Sequence, residues 1–137
     1  MRDALPDALA RAGLAVPGRT LFVWEGVTNY LDEPTVDATL RYVAQVGSAL
    51  LFTYVDRAVI DGRTAFVGGP ESVAYVQWLG EPFTFGFDPG ELPGYLDARG
   101  LTLERDLALS EVARAYYPAA GPPVSDYYHV AEARCRE

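Results

Sequence analysis

Glu25 and Gly26 stand side by side where an apolar run, Thr20-Leu21-Phe22-Val23-Trp24, comes to a stop. A carboxylate at such a strand end accepts hydrogen bonds from a cationic or hydroxyl-bearing ligand, and a glycine beside it lets the ligand approach the backbone. Asn29 and Tyr30 follow closely, and a second apolar run, Ala49 to Val55, carries Tyr54 and ends at Asp56. Tyrosines, together with Trp24, can wall off a cation or a planar ring. The plainer account of the same positions makes Glu25 and Asp56 solvated charges at strand ends and the tyrosines half-buried packing.

Other reactive types offer less. The one histidine, His129, falls mid-strand, and no Ser, Cys or acid is placed by the sequence to make a triad with it, so it reads as a packed or surface residue. The one cysteine, Cys135, lies in a charged tail and reads as an inert thiol. Phe83, Phe85 and Phe87 alternate along an extended segment that could cover a pocket, with core packing the reading adopted. Gly68-Gly69 lacks the following Lys-Ser/Thr of a phosphate loop, and no Gly-x-Gly fingerprint follows any strand.

The elements that must position these residues alternate in type. Residues 4–12 suit a short helix that Gly13 stops, and Val16 to Arg19 a turn. Both apolar runs lack alternation, which predicts strands buried on both faces of a parallel sheet. Between them Asp32-Glu33-Pro34 opens a helix whose stripe is Val36, Leu40, Val43 and Ala44, with the cap left open between Asp32 and Glu33. Strand, helix, strand makes a βαβ unit with a right-handed crossover. Ser72 to Trp78 suits a helix, and Asp88-Pro89-Gly90-Glu91 reads as another helix entry, capped by Asp88 and ended by Arg99-Gly100. Residues 101–109 alternate, with Leu101, Leu103, Leu107 and Leu109 on one face of a strand. Pro118 to Pro123 suits a loop, and residues 127–133 a last strand.

Length and charge bound the rest. The chain has 137 residues, one domain's worth at most, and half of them are apolar. All 11 basic side chains are arginines against 19 carboxylates, for a net charge of −8, which argues against nucleic acid and against a polybasic membrane surface. No apolar run is long enough to span a membrane, and the acidic, proline-broken start does not resemble a signal peptide. A cytoplasmic location is expected. The Ala/Gly/Arg/Asp bias without lysine is that of a GC-rich, bacterial coding sequence.

The segment Phe22-Val23-Trp24-Glu25-Gly26-Val27-Thr28-Asn29-Tyr30-Leu31 resembles the F-x-x-E-G-x-x-x-Y-L hallmark of the leucine carboxyl methyltransferase-like family, which are class I S-adenosylmethionine-dependent O-methyltransferases. Thr53-Tyr54, Gly80 to Phe87, Leu96 to Leu101 and Tyr128 to Ala133 fit the family's order of elements. The resemblance implies an α/β fold: the C-terminal half of a Rossmann-like sheet, strands 4-5-7-6 with the last antiparallel, flanked by helices. It also implies a single partial domain over residues 1–137, lacking the glycine-rich cofactor half, with Met1-Arg2-Asp3 matching the tail of a D-L-R-D stretch. By the same resemblance Glu25 and Gly26 hold S-adenosyl-L-methionine, while Asn29, Tyr30 and Tyr54 contact the acceptor, a small molecule or a carboxylate.

Methyl transfer to a carboxylate needs position more than proton transfer, so no general base is nominated. The strand at Leu21–Trp24 would lose its family neighbour and leave a bare apolar edge. A homo-oligomer or a separately encoded N-terminal half is therefore expected to cover it. Two rival functions are an inactive, methyltransferase-derived interaction module and a ligand-binding remnant lined by Tyr30, Tyr54 and the three phenylalanines.

Overall fold

In the computed structural model, residues 5–13, 19–63, 66–117 and 124–136 are described. The expected turn at 16–18 and the loop at 118–123 lie outside them. The centre of the fold is β2 (Ala49–Val55), rich in β-branched and aromatic side chains that suit a pleated, buried surface. On one side β1 (Leu21–Trp24) runs parallel to it, in register from Leu21↔Ala49 to Trp24↔Phe52. On the other side β4 (Tyr128–Cys135) runs antiparallel, and β3 (Leu101–Ala108) pairs antiparallel with β4. The order β1-β2-β4-β3 is the expected 4-5-7-6, with the last strand inserted antiparallel between its neighbours.

After α1 (Leu5–Arg11) and β1, the crossover to β2 is α2 (Glu33–Val46), and Asp32 is its cap, accepting the Thr35 N–H at 2.9 Å. Val36, Leu40 and Val43 are at most 1% exposed. Gly47 ends the helix where a Cβ would meet the Val43 carbonyl oxygen at 2.8 Å and the Phe22 ring at 3.0 Å, so only glycine lets the chain return this close to β1. Against α2 pack the inward side chains of the sheet: Leu50, Phe52 and Tyr54, then Ala131 and Ala133, then Leu101. Leu92 and Leu96 of α5 (Leu92–Asp97) and the phenylalanines Phe85 and Phe87 complete this core. Each large side chain so buried contributes roughly 1.5–3 kcal/mol. A smaller cluster, Val55, Val59 and Tyr127, fills the other face near α3 (Arg57–Ile60) and α4 (Gly69–Trp78).

Two strand expectations are corrected. β1 is not buried on both faces: Leu21 and Val23 are each 62% exposed, while Phe22 and Trp24 pack on the core. Among the described residues nothing covers the outer face of this edge strand, so only every second side chain finds a partner. Val23 stands in register with the half-exposed Leu51, which extends the bare strip onto β2. In β3 a bulge between Leu103 and Arg105 breaks the expected leucine face. Beyond it Leu107 pairs with Val130 on the far side, Asp106 takes the core face opposite Ala131, and Leu109 begins α6 (Leu109–Tyr116).

The helix entry at Asp88 is also revised. Its carboxylate accepts the Gly90 N–H at 2.9 Å in a turn, and α5 starts only at Leu92. The far end is as read: the Arg99 guanidinium donates to the Tyr95 carbonyl, and Gly100 has φ +84°. Arg99 also lies over the Tyr95 ring and bonds to Asp37 on α2 at 2.7 Å. Arg41 and Arg99 together hold the Asp37 carboxyl below the usual carboxylate range. Cys135 belongs to β4 rather than to a charged tail; its thiol donates to the Val43 carbonyl, and burial pushes its pKa up, as befits an inert thiol.

Candidate functional site

Because β1 and β2 are parallel, they end side by side, and the loop after β1 lies against the last residues of β2. Thr53 fastens that loop. The Gly26 N–H donates to its Oγ1 at 2.8 Å, and the Thr28 hydroxyl donates to its carbonyl at 2.7 Å. Gly26 sits at φ +71° with open space where a Cβ would be, the conformation glycine adopts without strain. Thr28 to Tyr30 then form a single 3-10 turn. A second segment is tied to this turn: the Thr84 N–H donates to the Asn29 carbonyl at 2.8 Å and its hydroxyl to the Leu31 carbonyl at 2.9 Å.

These bonds bring four of the five expected site residues into one short loop. Glu25 is exposed, and among the described residues no side chain hydrogen-bonds to its carboxylate. Tyr30 is 42% exposed and packs on Phe83, ring centroids 5.8 Å apart. Asn29 is 1% exposed, and its Oδ1 has no hydrogen-bond partner among the described residues. A buried amide oxygen without a donor costs about 1–3 kcal/mol, so a donor reaching it is favoured by that much.

Tyr54 is the exception. Side chains alternate along a strand, and it is Thr53 that faces the Gly26 loop; Tyr54 points into the core. It is fully buried, donates its hydroxyl to Asp106 Oδ2 at 2.6 Å and stacks on His129 at 4.8 Å. Burial and the Asp106 carboxylate drive its pKa far above the ordinary tyrosine value. Asp56 is also committed, since its carboxylate caps α3 through the Ala58 N–H at 2.8 Å. Trp24 packs against the core.

Several neighbours escaped sequence reasoning. His129 does have an acidic partner, Asp106 Oδ1 at 3.1 Å from its Nδ1, supplied by the adjacent strand across the bulge. Thr53 was legible as the residue one before Tyr54, of opposite facing. Tyr128, opposite Val55, lies on the Thr53 face of the sheet with its hydroxyl beside the Thr53 side chain. Burial raises its pKa, and Tyr30, Tyr127 and Glu25 are close enough to act on it electrostatically. Among the described residues no group of His, Cys, Asp and Glu suits a metal ion, and no helix is long and apolar enough to cross a membrane.

The family model for leucine carboxyl methyltransferase matches residues 1–44, the stretch that contains the Glu25–Tyr30 loop. The resemblance to that family therefore holds for the first third of the chain. No curated protein matches the chain. Among solved structures, the mitomycin 7-O-methyltransferase MmcR is similar with a TM-score of 0.53 at 20% identity over 95% of this chain, which shows a methyltransferase fold. Magnesium protoporphyrin IX methyltransferase from Synechocystis PCC 6803, with bound SAH, matches 85% of this chain at 10% identity and a TM-score of 0.49. The chain spans 38% of the first structure and 44% of the second.

Proposed function

We propose that this chain forms the acceptor side of an S-adenosylmethionine-dependent O-methyltransferase acting on a small molecule or a carboxylate. The observation that carries the reading is the Glu25-Gly26 corner: an exposed carboxylate that no described side chain engages, beside a left-handed glycine with open space over it, fixed by Thr53 at the end of a parallel strand. Ligands bind at this end of parallel sheets. A free carboxylate there suits the ammonium of the cofactor's amino-acid end, and the glycine admits it to the backbone. S-adenosylmethionine, when bound, would supply an electrophilic methyl group for an acceptor oxygen, with S-adenosylhomocysteine as the leaving group. Glu25 and Gly26 would hold the cofactor, while Asn29 and Tyr30 would form the floor between it and the acceptor. The work left to these residues is positioning.

Calorimetric titration of S-adenosylhomocysteine into the purified chain tests this. Weak binding is expected, with Kd at or above about 100 μM, roughly −5.5 kcal/mol. Glu25→Ala is expected to weaken it tenfold or more, since a hydrogen bond to a charged group is worth about 1.5–3 kcal/mol. No heat at millimolar ligand, or heat indifferent to Glu25→Ala, would sink the proposal.

The bare strip of Leu21, Val23 and Leu51, next to the free edge of β1, supports a companion proposal: a second copy or a separately encoded N-terminal half covers it. Sizing with light scattering is expected to show association of the purified chain, lost in Val23→Lys; a monodisperse wild-type monomer would rule out self-association. The same strip favours one rival, an interaction module without catalysis. That reading requires association unaffected by Glu25→Ala and no response to S-adenosylhomocysteine.

A further inference from the structure

We propose that two copies of this chain join edge to edge through β1, antiparallel and centred on Phe22, so that Arg19 of each copy neutralises Glu25 of the other. The proposal commits to one partner for the bare strand edge. Its consequence for the cofactor rests on the acceptor-side reading above.

The outer edge of β1 is open to pairing. The Thr20 carbonyl points at β2, where it accepts the Ser48 N–H at 2.9 Å. Backbone groups alternate along a strand, so Leu21 and Val23 turn their N–H and C=O groups to the open side. Among the described residues no strand pairs with that side. The usual guards of an edge are missing too, since Leu21-Phe22-Val23-Trp24 carries no charge, no proline and no bulge.

Symmetry and charge then select the register. A two-fold dimer pairs the same surface of both copies. In an antiparallel ladder only residues whose backbone groups face the partner exchange hydrogen bonds. Within β1 that leaves Leu21 opposite Leu21, Leu21 opposite Val23, or Val23 opposite Val23. The first sets Val23 against Arg19, and the last sets Leu21 against Glu25. The middle register matches Leu21 with Val23 twice and brings Arg19 opposite Glu25 twice. It also joins the two exposed apolar strips, in which Leu21 and Val23 are each 62% exposed, into one patch backed by Leu51. Arg19 and Glu25 are both exposed, and among the described residues neither has an ion-pair partner within its own chain.

The carboxylate that would meet the cofactor's ammonium is then held by the partner's Arg19. Dimer and cofactor compete for Glu25, and the dimer is the form closed to S-adenosylmethionine.

Sedimentation equilibrium of the purified chain tests this. Arg19→Glu and Glu25→Arg each turn two attractive contacts into two repulsive ones. Each is expected to weaken the dimer about tenfold or more, since like charges directly opposite across strands destabilise pairing. The double variant Arg19→Glu/Glu25→Arg restores opposite signs and is expected to return to within about threefold of wild type. Mild oxidation reads the register: Leu21→Cys and Val23→Cys are expected to cross-link when mixed and not separately, because paired Cα atoms there stand about 5.5 Å apart. S-adenosylhomocysteine is expected to lower the dimer fraction. A monomeric wild type, a double variant no better than the single ones, or either cysteine variant cross-linking with itself would each overturn the proposal. So would S-adenosylhomocysteine that binds and leaves the dimer fraction unchanged. A dimer rescued by the charge swap, in a chain that binds no S-adenosylhomocysteine, would keep the dimer and remove the methyltransferase reading. Glu25-dependent binding of S-adenosylhomocysteine by a chain that stays monomeric would remove the dimer alone.

Discussion

Phe87→Ala will destabilise this fold by about 3–5 kcal/mol, the usual cost of emptying a buried phenylalanine site. Phe87 is 1% exposed and meets four rings at once: Phe52 at 6.0 Å, Tyr54 at 5.4 Å, Phe85 at 4.9 Å and Tyr95 at 5.2 Å. Those rings come from β2, from the segment before α5 and from α5 itself, so no single element can shift to fill the void. Its backbone is fixed as well, donating to the Val55 carbonyl at 3.1 Å and accepting from Arg57 at 2.9 Å. Next to it, a Cβ on Gly86 would lie 2.6 Å from the Val55 carbonyl oxygen, so the chain here is already as close to β2 as it can come. Urea denaturation checks the cost, with Phe83→Ala as comparator; Phe83 is partly exposed and should lose less than half as much. A loss below about 1 kcal/mol for Phe87→Ala would contradict the packing described, given that Phe→Ala in a core rarely costs so little.

Asp106→Ala will cost roughly 2–3 kcal/mol, because it strands a buried donor rather than merely deleting a bond. The carboxylate takes the Tyr54 hydroxyl on one oxygen at 2.6 Å and meets His129 on the other at 3.1 Å. Tyr54 has no exposed surface through which water could replace it. The pair is separable by a double-mutant cycle. Tyr54→Phe alone removes one bond to a charged group, worth about 1.5–3 kcal/mol. In the Asp106→Ala background the same change removes an orphaned hydroxyl, so it should be neutral or stabilising. Additive costs would mean that the bond between the two contributes nothing, and chemical denaturation of the four proteins decides it.

What could be read from the chain was what is encoded locally. The apolar runs gave β1 and β2, Asp32-Glu33-Pro34 gave the start of α2, and Glu25-Gly26 stood out because a charge and a glycine interrupt hydrophobic residues. The misreadings all involve information held elsewhere. Whether Tyr54 or Thr53 faces the loop depends on which side of the sheet α2 covers, which the run Ala49–Val55 cannot reveal by itself. The Asp106–His129 contact joins positions 23 apart and exists only because β3 pairs with β4. The start of α6 went unseen because Ala108 offers no capping side chain; its N–H is instead met by the Glu111 carboxylate at 2.9 Å. Leu21 and Val23 looked like core because their composition is that of core; exposure is a property of what surrounds them.

The bulge at Glu104 bears on how β3 tolerates changes of length. Its residues count two by two on each side of that position, but the count restarts in the opposite phase across it. A deletion of Glu104 would restore unbroken alternation and keep the pairing on both sides, with Leu101, Leu103 and Asp106 on the core face and Arg105 and Leu107 on the other. Keeping Glu104 in a regular strand without the bulge would instead turn Leu107 inward and Asp106 outward, leaving Tyr54 and His129 without their shared carboxylate. Taking up Glu104 as a bulge is thus what lets a leucine-rich strand deliver one acid to the interior, and the hydrophobically more regular pairing would make the poorer protein.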